Sequence, residues 1–182
     1  MKIKMLSDVF LEYLIKREKG KKDHLTVAGI ILAALIVSVT AFILGMGFFP
    51  AFSGIWFLLF AVIWYFAYIF ISLQGIEFEY ILTNSEFDID KIAAKRKRTR
   101  VASFDFKKAE IVANINDAQH NNLYLNNNLK VLDFTSNSQY KDNVYFIIIA
   151  IDGERVMILF EPTSRMLENI HRFNPNNVFI QE

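Results

Sequence analysis

The chain contains no cysteine. That removes disulfide scaffolds, zinc–thiolate sites, iron–sulfur clusters and thiol chemistry together, while leaving the compartment open. A second absence is local: from Leu25 to Ile76 there is no Asp, Glu, Lys or Arg. A bilayer core about 30 Å thick needs roughly 20 apolar residues of helix. The uncharged block holds two such lengths, at about 25–45 and 54–74, on either side of Gly45-Met46-Gly47-Phe48-Phe49-Pro50. The division expected is an amphipathic arm over 1–24, two transmembrane helices within 25–75 and a soluble domain over 76–182. A cleaved signal peptide is disfavoured by the long arm ahead of the first span, the length of that span and the second span that follows directly. Neither span carries an ionisable residue, so an ion pathway, proton relay or gating charge has no candidate. The hairpin reads as an anchor.

Catalytic patterns are missing as well. His24, His120 and His171 stand apart, with no second ligand at metal spacing. A nucleophile needs a base held by a third group, and no such set is present. No enzyme, cofactor or metal site is expected. Glu86, Asp88 and Asp90 alternate along one strand and share a face, about 7 Å apart; a calcium loop instead wraps its oxygens around one point. They read as a solvated face that can pair with the basic run nearby. From Glu77 onward there are 13 Lys and Arg against 15 Asp and Glu, which lacks the basic footprint of a nucleic-acid binder.

The charges that are present set the topology. Lys2, Lys4, Lys16, Arg17, Lys19, Lys21 and Lys22 precede the first span, and Lys91, Lys95, Arg96, Lys97, Arg98 and Arg100 follow the second. Basic flanks stay on the cytoplasmic side, so both termini are expected there, with Gly45–Gly54 as the outer turn of a multi-pass plasma-membrane protein. Gly29, Ala33, Val37, Ala41 and Gly45 recur every four residues, a stripe of small side chains that lets another helix approach closely. The bulky second span, with Trp56, Phe57, Phe60 and Trp64, is one partner for it. A homo-oligomer through the same stripe is the other.

In the arm, Met5, Leu6, Val9, Phe10, Tyr13 and Leu14 fall on one face of a helix, either lying at the membrane surface or docking on the soluble domain. The soluble part reads as strands at Ile76–Leu82, Phe87–Asp90, Val101–Phe106, Glu110–Ile115, Lys130–Phe134, Val144–Ile151 and Arg155–Phe160. Asp152-Gly153 supplies the strongest hairpin signal. Met166, Leu167, Ile170 and Phe173 mark one final helix, ended by Asn174-Pro175. The stretch Asn114–Asn128 reads as a polar loop without order of its own. The fold class is a membrane α-helical hairpin plus an α+β soluble domain.

The strand–turn–strand from Phe78 to Ile92, the run Lys95-Arg96-Lys97-Arg98 and the ending Phe160-Glu161-Pro162 with Met166-Leu167 resemble an uncharacterised family of Gram-positive bacterial membrane proteins. Its members pair a two-helix hairpin with a bacterial pleckstrin-homology-like (PH-like) domain. The resemblance implies a seven-stranded, partly closed antiparallel β-barrel capped by the C-terminal helix. The turn Thr83-Asn84-Ser85-Glu86 lacks the basic residues that lipid-binding members of the wider fold gather there, which argues against phosphoinositide recognition. Lys95, Arg96, Lys97, Arg98 and Arg100 remain the sharpest feature of the domain. They suit an anionic leaflet at about 1 kcal/mol each, an acidic protein partner, or only solvent along an edge strand. The function expected is a membrane-anchored adaptor or scaffold for a protein partner, with anionic-lipid sensing as the alternative.

Overall fold

Alternation of apolar and polar side chains, more than any local helical signal, decides how the chain outside the uncharged block folds. In the computed structural model, which describes residues 9–48, 50–125, 128–136 and 142–180, the first element is a strand, β1 (Phe10–Lys16). Two helices follow, α1 (Lys21–Phe48) and α2 (Ser53–Leu73), joined through a short turn of 3-10 helix at Pro50–Phe52. Then come β2 (Ile76–Thr83), β3 (Glu86–Ala93), β4 (Lys97–Asp105), β5 (Ile111–Asn114), α3 (Asn121–Leu125), β6 (Lys130–Asp133), β7 (Tyr145–Ile151), β8 (Glu154–Phe160) and α4 (Ser164–Phe173). The chain divides into two compact units. One is the helical hairpin, residues 19–76, with residues 93–95; the other holds the described strands apart from the end residues Ile76 and Ala93.

The arm corrects its sequence reading. Residues 9–16 are not helical: Leu11, Tyr13 and Ile15 turn inward while Phe10, Glu12, Leu14 and Lys16 are exposed, a period of two. Met5 and Leu6 lie outside the described residues. β1 pairs antiparallel with β2, Phe10 opposite Thr83 and Lys16 opposite Glu77. A ladder formed with a partner so distant in sequence outweighs the local helical spacing, because pairing and burial, not propensity, fix a strand. Asn84 closes the far end, its N–H donating to the Val9 carbonyl and its Oδ1 accepting from the Val9 N–H, at 2.8 and 3.0 Å.

Among the described residues the strands form two sheets of four, ordered β1-β2-β3-β4 and β5-β7-β8-β6. This corrects the seven-stranded barrel: the arm supplies an eighth strand, β6 runs parallel to β8, and the barrel is not closed. β7 is buried from Tyr145 to Ile149. Phe146 and Ile148 pack with Ile111, Ala113, Met157 and Leu159 on one face, while Tyr145 on the other approaches Phe160, centroids 6.4 Å apart. A strand covered on both sides reads as an unbroken apolar run. The β7–β8 turn has φ of 53° at Asp152 and 85° at Gly153, the left-handed pair that a two-residue hairpin needs.

Aromatic rings fill the space between the sheets. Phe87 of β3 lies 5.0 Å from Phe106, 5.6 Å from Phe160 and 5.7 Å from Tyr80, centroid to centroid. All four side chains are fully buried, each contributing about 1.5–3 kcal/mol by leaving water. α4 is capped by Thr163, whose Oγ1 accepts from the Met166 N–H, and it buries Met166, Leu167 and Ile170. Beyond it, Val178 forms a parallel bridge to Val112, which covers the free edge of β5.

Inside the hairpin the helices run antiparallel: Gly45 faces Trp56, and Ala33, Ala34 and Val37 share a groove with Ile63, Phe66 and Ala67. Both helices are long and apolar enough to cross a membrane.

Candidate functional site

The basic run falls into two chemically different halves. β4 begins at Lys97, so Arg98 and Arg100 stand two apart and share a face. That face meets the carboxylates of β2 and β3. The Arg98 guanidinium lies 2.6 Å from the Glu79 carboxylate and 4.0 Å from Asp90. Arg100 donates through Nε to Asp90 at 2.9 Å and pairs with Asp88 at 2.7 Å. Glu79 and Asp90 are buried, Asp88 is half-buried and Glu86 exposed. The acidic stripe thus pairs with the basic run as its sequence reading allows, but its Asp90 end is buried rather than solvated. The hydrogen bond to Asp90 raises the pKa of Arg100 above the usual guanidinium value. Buried carboxylates need such partners, so these two arginines hold the sheet together.

Lys95, Arg96 and Lys97 are exposed and form no ion pair among the described residues. Lys95 and Arg96 lie in the β3–β4 turn and Lys97 opens β4; in the turn Ala94 and Lys95 both take left-handed φ, 53° and 57°. Side chains with a Cβ resist that conformation. The turn is held from outside the sheet: the Ala94 N–H donates to the Gly75 carbonyl at 3.0 Å, immediately after α2. The last carbonyls of a helix lack intrahelical donors, and the turn supplies one just beyond them.

The small-residue stripe divides as well. A strict four-residue spacing drifts about 40° around a helix at each step, since 3.6 residues complete a turn. The seam that packs therefore runs through Ala34, Ser38, Ala41 and Gly45, of which all but the half-buried Ala41 are buried. Gly29 and Ala33 are exposed, and a Cβ added at Gly29 would meet nothing. A Cβ at Gly45 would run into the Trp56 indole. Most rings of α2 face outward, Phe57, Tyr65 and Tyr68 among them.

One polar node had no sequence signal. The Tyr80 hydroxyl donates to the Phe134 carbonyl at 2.8 Å and accepts from the Glu161 N–H at 3.2 Å. It ties β2 to the ends of β6 and β8 in the other sheet, and burial pushes the phenol pKa well above its ordinary value. Glu161, buried beside it, accepts from the Ser136 N–H and Oγ at 2.8 and 2.7 Å. Two histidines are also engaged. His120 lies 2.6 Å from Asp117, whose pKa this hydrogen bond lowers, and its ring stacks on Phe179 at 4.0 Å. His171 is half-buried and contacts the Val178 carbonyl at 2.9 Å.

The polar stretch 114–128 has more order than its composition suggests. It contains α3, and Asn114 is buried, donating to the Asp142 carbonyl and accepting from the Asn116 N–H; Asn126 and Asn127 lie outside the described residues. Beside Asn114 an open groove of about 400 Å³ runs past Tyr145, Pro162 and Leu167. Among the described residues no group of three or more His, Asp or Glu has metal-binding geometry.

A family model described as Bacterial PH-like domain (DUF6106) matches residues 7–180. No curated protein and no solved structure matches the chain.

Proposed function

The chain belongs to the bacterial PH-like domain family, and from that premise we propose that it is a membrane-anchored, non-enzymatic adaptor. It displays the two-sheet module at the inner face of a bacterial plasma membrane for another protein. The observation that carries this reading is the place of the hairpin in the sheet. β1 and β2 are paired neighbours with Lys16 opposite Glu77, yet α1 and α2 lie between them in the chain. The membrane hairpin stands where a β-turn would otherwise be.

Two consequences support the proposal. Residues before and after the hairpin build one sheet, so a hairpin that crosses the bilayer twice must return the chain to the side it left. Lys19, Lys21 and Lys22 next to α1 favour the cytoplasm for that side. The module is also tethered twice, through Arg17–Gly20 and Gln74–Gly75. Such short connections keep it within a thin layer of cytoplasm and raise its effective concentration toward membrane-bound partners. The fold alone names no partner.

The test is in-cell crosslinking of the full chain followed by purification from native membranes, with Lys95, Arg96 and Lys97 changed to Gln in a parallel sample. Arg98 and Arg100 are kept, because removing them strands buried carboxylates. A reproducible partner crosslinked to the two-sheet unit supports the adaptor role. Its absence from both samples sinks that role.

A further inference from the structure

We infer that Lys19, Lys21, Lys22 and Lys95 form a collar that binds the phosphate headgroups of anionic phospholipids at one end of the hairpin. The unit that contains the hairpin comprises residues 19–76 and 93–95. Its charged side chains are Lys19, Lys21, Lys22, Asp23 and Lys95. Because α1 and α2 are antiparallel, the start of α1 and the end of α2 lie at the same end. The Ala94–Gly75 hydrogen bond adds Lys95 to that end. Four ammonium groups and one carboxylate thus sit at a single end of an otherwise uncharged body.

The carboxylate is already engaged: Asp23 Oδ2 accepts from the Gly20 N–H at 2.9 Å, closing the first turn of α1. The four lysines are exposed and form no ion pair among the described residues. Lysine suits the task, since its flexible stem lies along apolar surface while its ammonium reaches the headgroup layer. Arg98 and Arg100 belong to the same basic run but are held by Glu79, Asp88 and Asp90. The run is therefore divided between a headgroup contact and a structural clamp. Position selects lipid over an acidic protein as the occupant. These lysines flank two helices that are long and apolar enough to cross a membrane, where hydrocarbon gives way to headgroups and anionic lipid attracts basic side chains.

The collar rests on the hairpin lying in a bilayer and is independent of the adaptor role. The full chain is reconstituted into nanodiscs of phosphatidylcholine mixed equally with phosphatidylglycerol, and the lipids retained after mild detergent extraction are identified by mass spectrometry. Phosphatidylglycerol is expected in excess over phosphatidylcholine. K95Q is expected to lower that excess about fivefold at low salt, the equivalent of ~1 kcal/mol for one basic side chain near an anionic surface. K19Q, K21Q and K22Q combined with it should abolish the preference, and salt should weaken it throughout. An equal ratio in the native chain, or an undiminished excess in the quadruple variant, overturns the collar. A chain that fails to enter these nanodiscs at all overturns the membrane reading itself.

Discussion

The two units place their aromatic residues in opposite ways. In the two-sheet unit Tyr80, Phe87, Phe106 and Phe160 are 0% exposed and meet ring against ring. In the hairpin Phe57, Tyr65 and Tyr68 are 63–68% exposed, while Ala34, Ser38 and Gly45 are buried. In water the large apolar side chains go inside because their burial drives folding. In lipid that drive between helices vanishes, and close fit of small residues takes over. A water-soluble protein rarely exposes so continuous an apolar face, so the inversion is itself an argument about the solvent.

The largest test of this comparison separates the units. Joining Lys16 directly to Glu77 through Asn-Gly replaces the hairpin with a two-residue turn between positions that already face each other. The product is expected to be soluble, monomeric and folded, with dispersed amide resonances. The same domain begun at Glu77 lacks β1 and leaves the hydrogen-bonding edge of β2 bare, so it should aggregate. Equal behaviour of the two products in size-exclusion chromatography would contradict the role given to β1.

Next in size is Tyr80→Phe in the joined product. It leaves the Phe134 carbonyl and the Glu161 N–H without their partner, at a cost of about 2–3 kcal/mol in urea unfolding. The same residue sets a pH dependence. The phenol pKa is raised in the folded state above its ordinary 10.0, so the folded chain keeps a proton that the unfolded chain gives up. Its contribution is full below about pH 10 and declines as the pH rises further. The Phe variant should lose less stability over that alkaline interval.

Much of this architecture is legible in the residues, unevenly. The helices of the hairpin follow from missing charge alone, and the β7–β8 hairpin follows from Val144–Ile151 with Asp152-Gly153. β1 does not, because its partner lies beyond the whole hairpin and Met5–Leu14 also satisfies a helical spacing. The periodic reading of 5–14 mixes residues that the strand sends to opposite faces. The basic run is visible as composition, but its division is not. Only the ion pairs that β4 makes with carboxylates of β2 and β3 show that Arg98 and Arg100 are held while Lys95, Arg96 and Lys97 are free of ion pairs among the described residues. The Tyr80 node joins three distant segments and leaves no local pattern.

Within the hairpin, the comparison sharpens to two glycines on one helix. Gly45→Ala places a methyl group into the Trp56 indole and should cost about 1–3 kcal/mol of helix–helix packing. Gly29→Ala meets open space and should leave that packing unchanged. Tryptophan emission and thermal stability of the full chain in detergent read both. If the two substitutions have the same effect, the seam through Ala34, Ser38, Ala41 and Gly45 is misplaced.

The smallest effect belongs to the turn where the chain passes from one unit to the other and back. Ala94 has a φ of 53°, which costs a residue with a Cβ about 1–2 kcal/mol. Glycine removes that cost but loses up to about 1 kcal/mol through the greater freedom of the unfolded chain, so Ala94→Gly should stabilise the protein by about 0.5–1 kcal/mol. At Gly153, with φ of 85°, the reverse substitution to Ala should destabilise by about 1 kcal/mol, since the same conformation then meets a Cβ. Thermal unfolding of the full chain in detergent measures both changes, and opposite signs are required. The Ala94 N–H bond to Gly75 survives in the Gly variant, so a loss of stability there would mean that the left-handed turn is not strained.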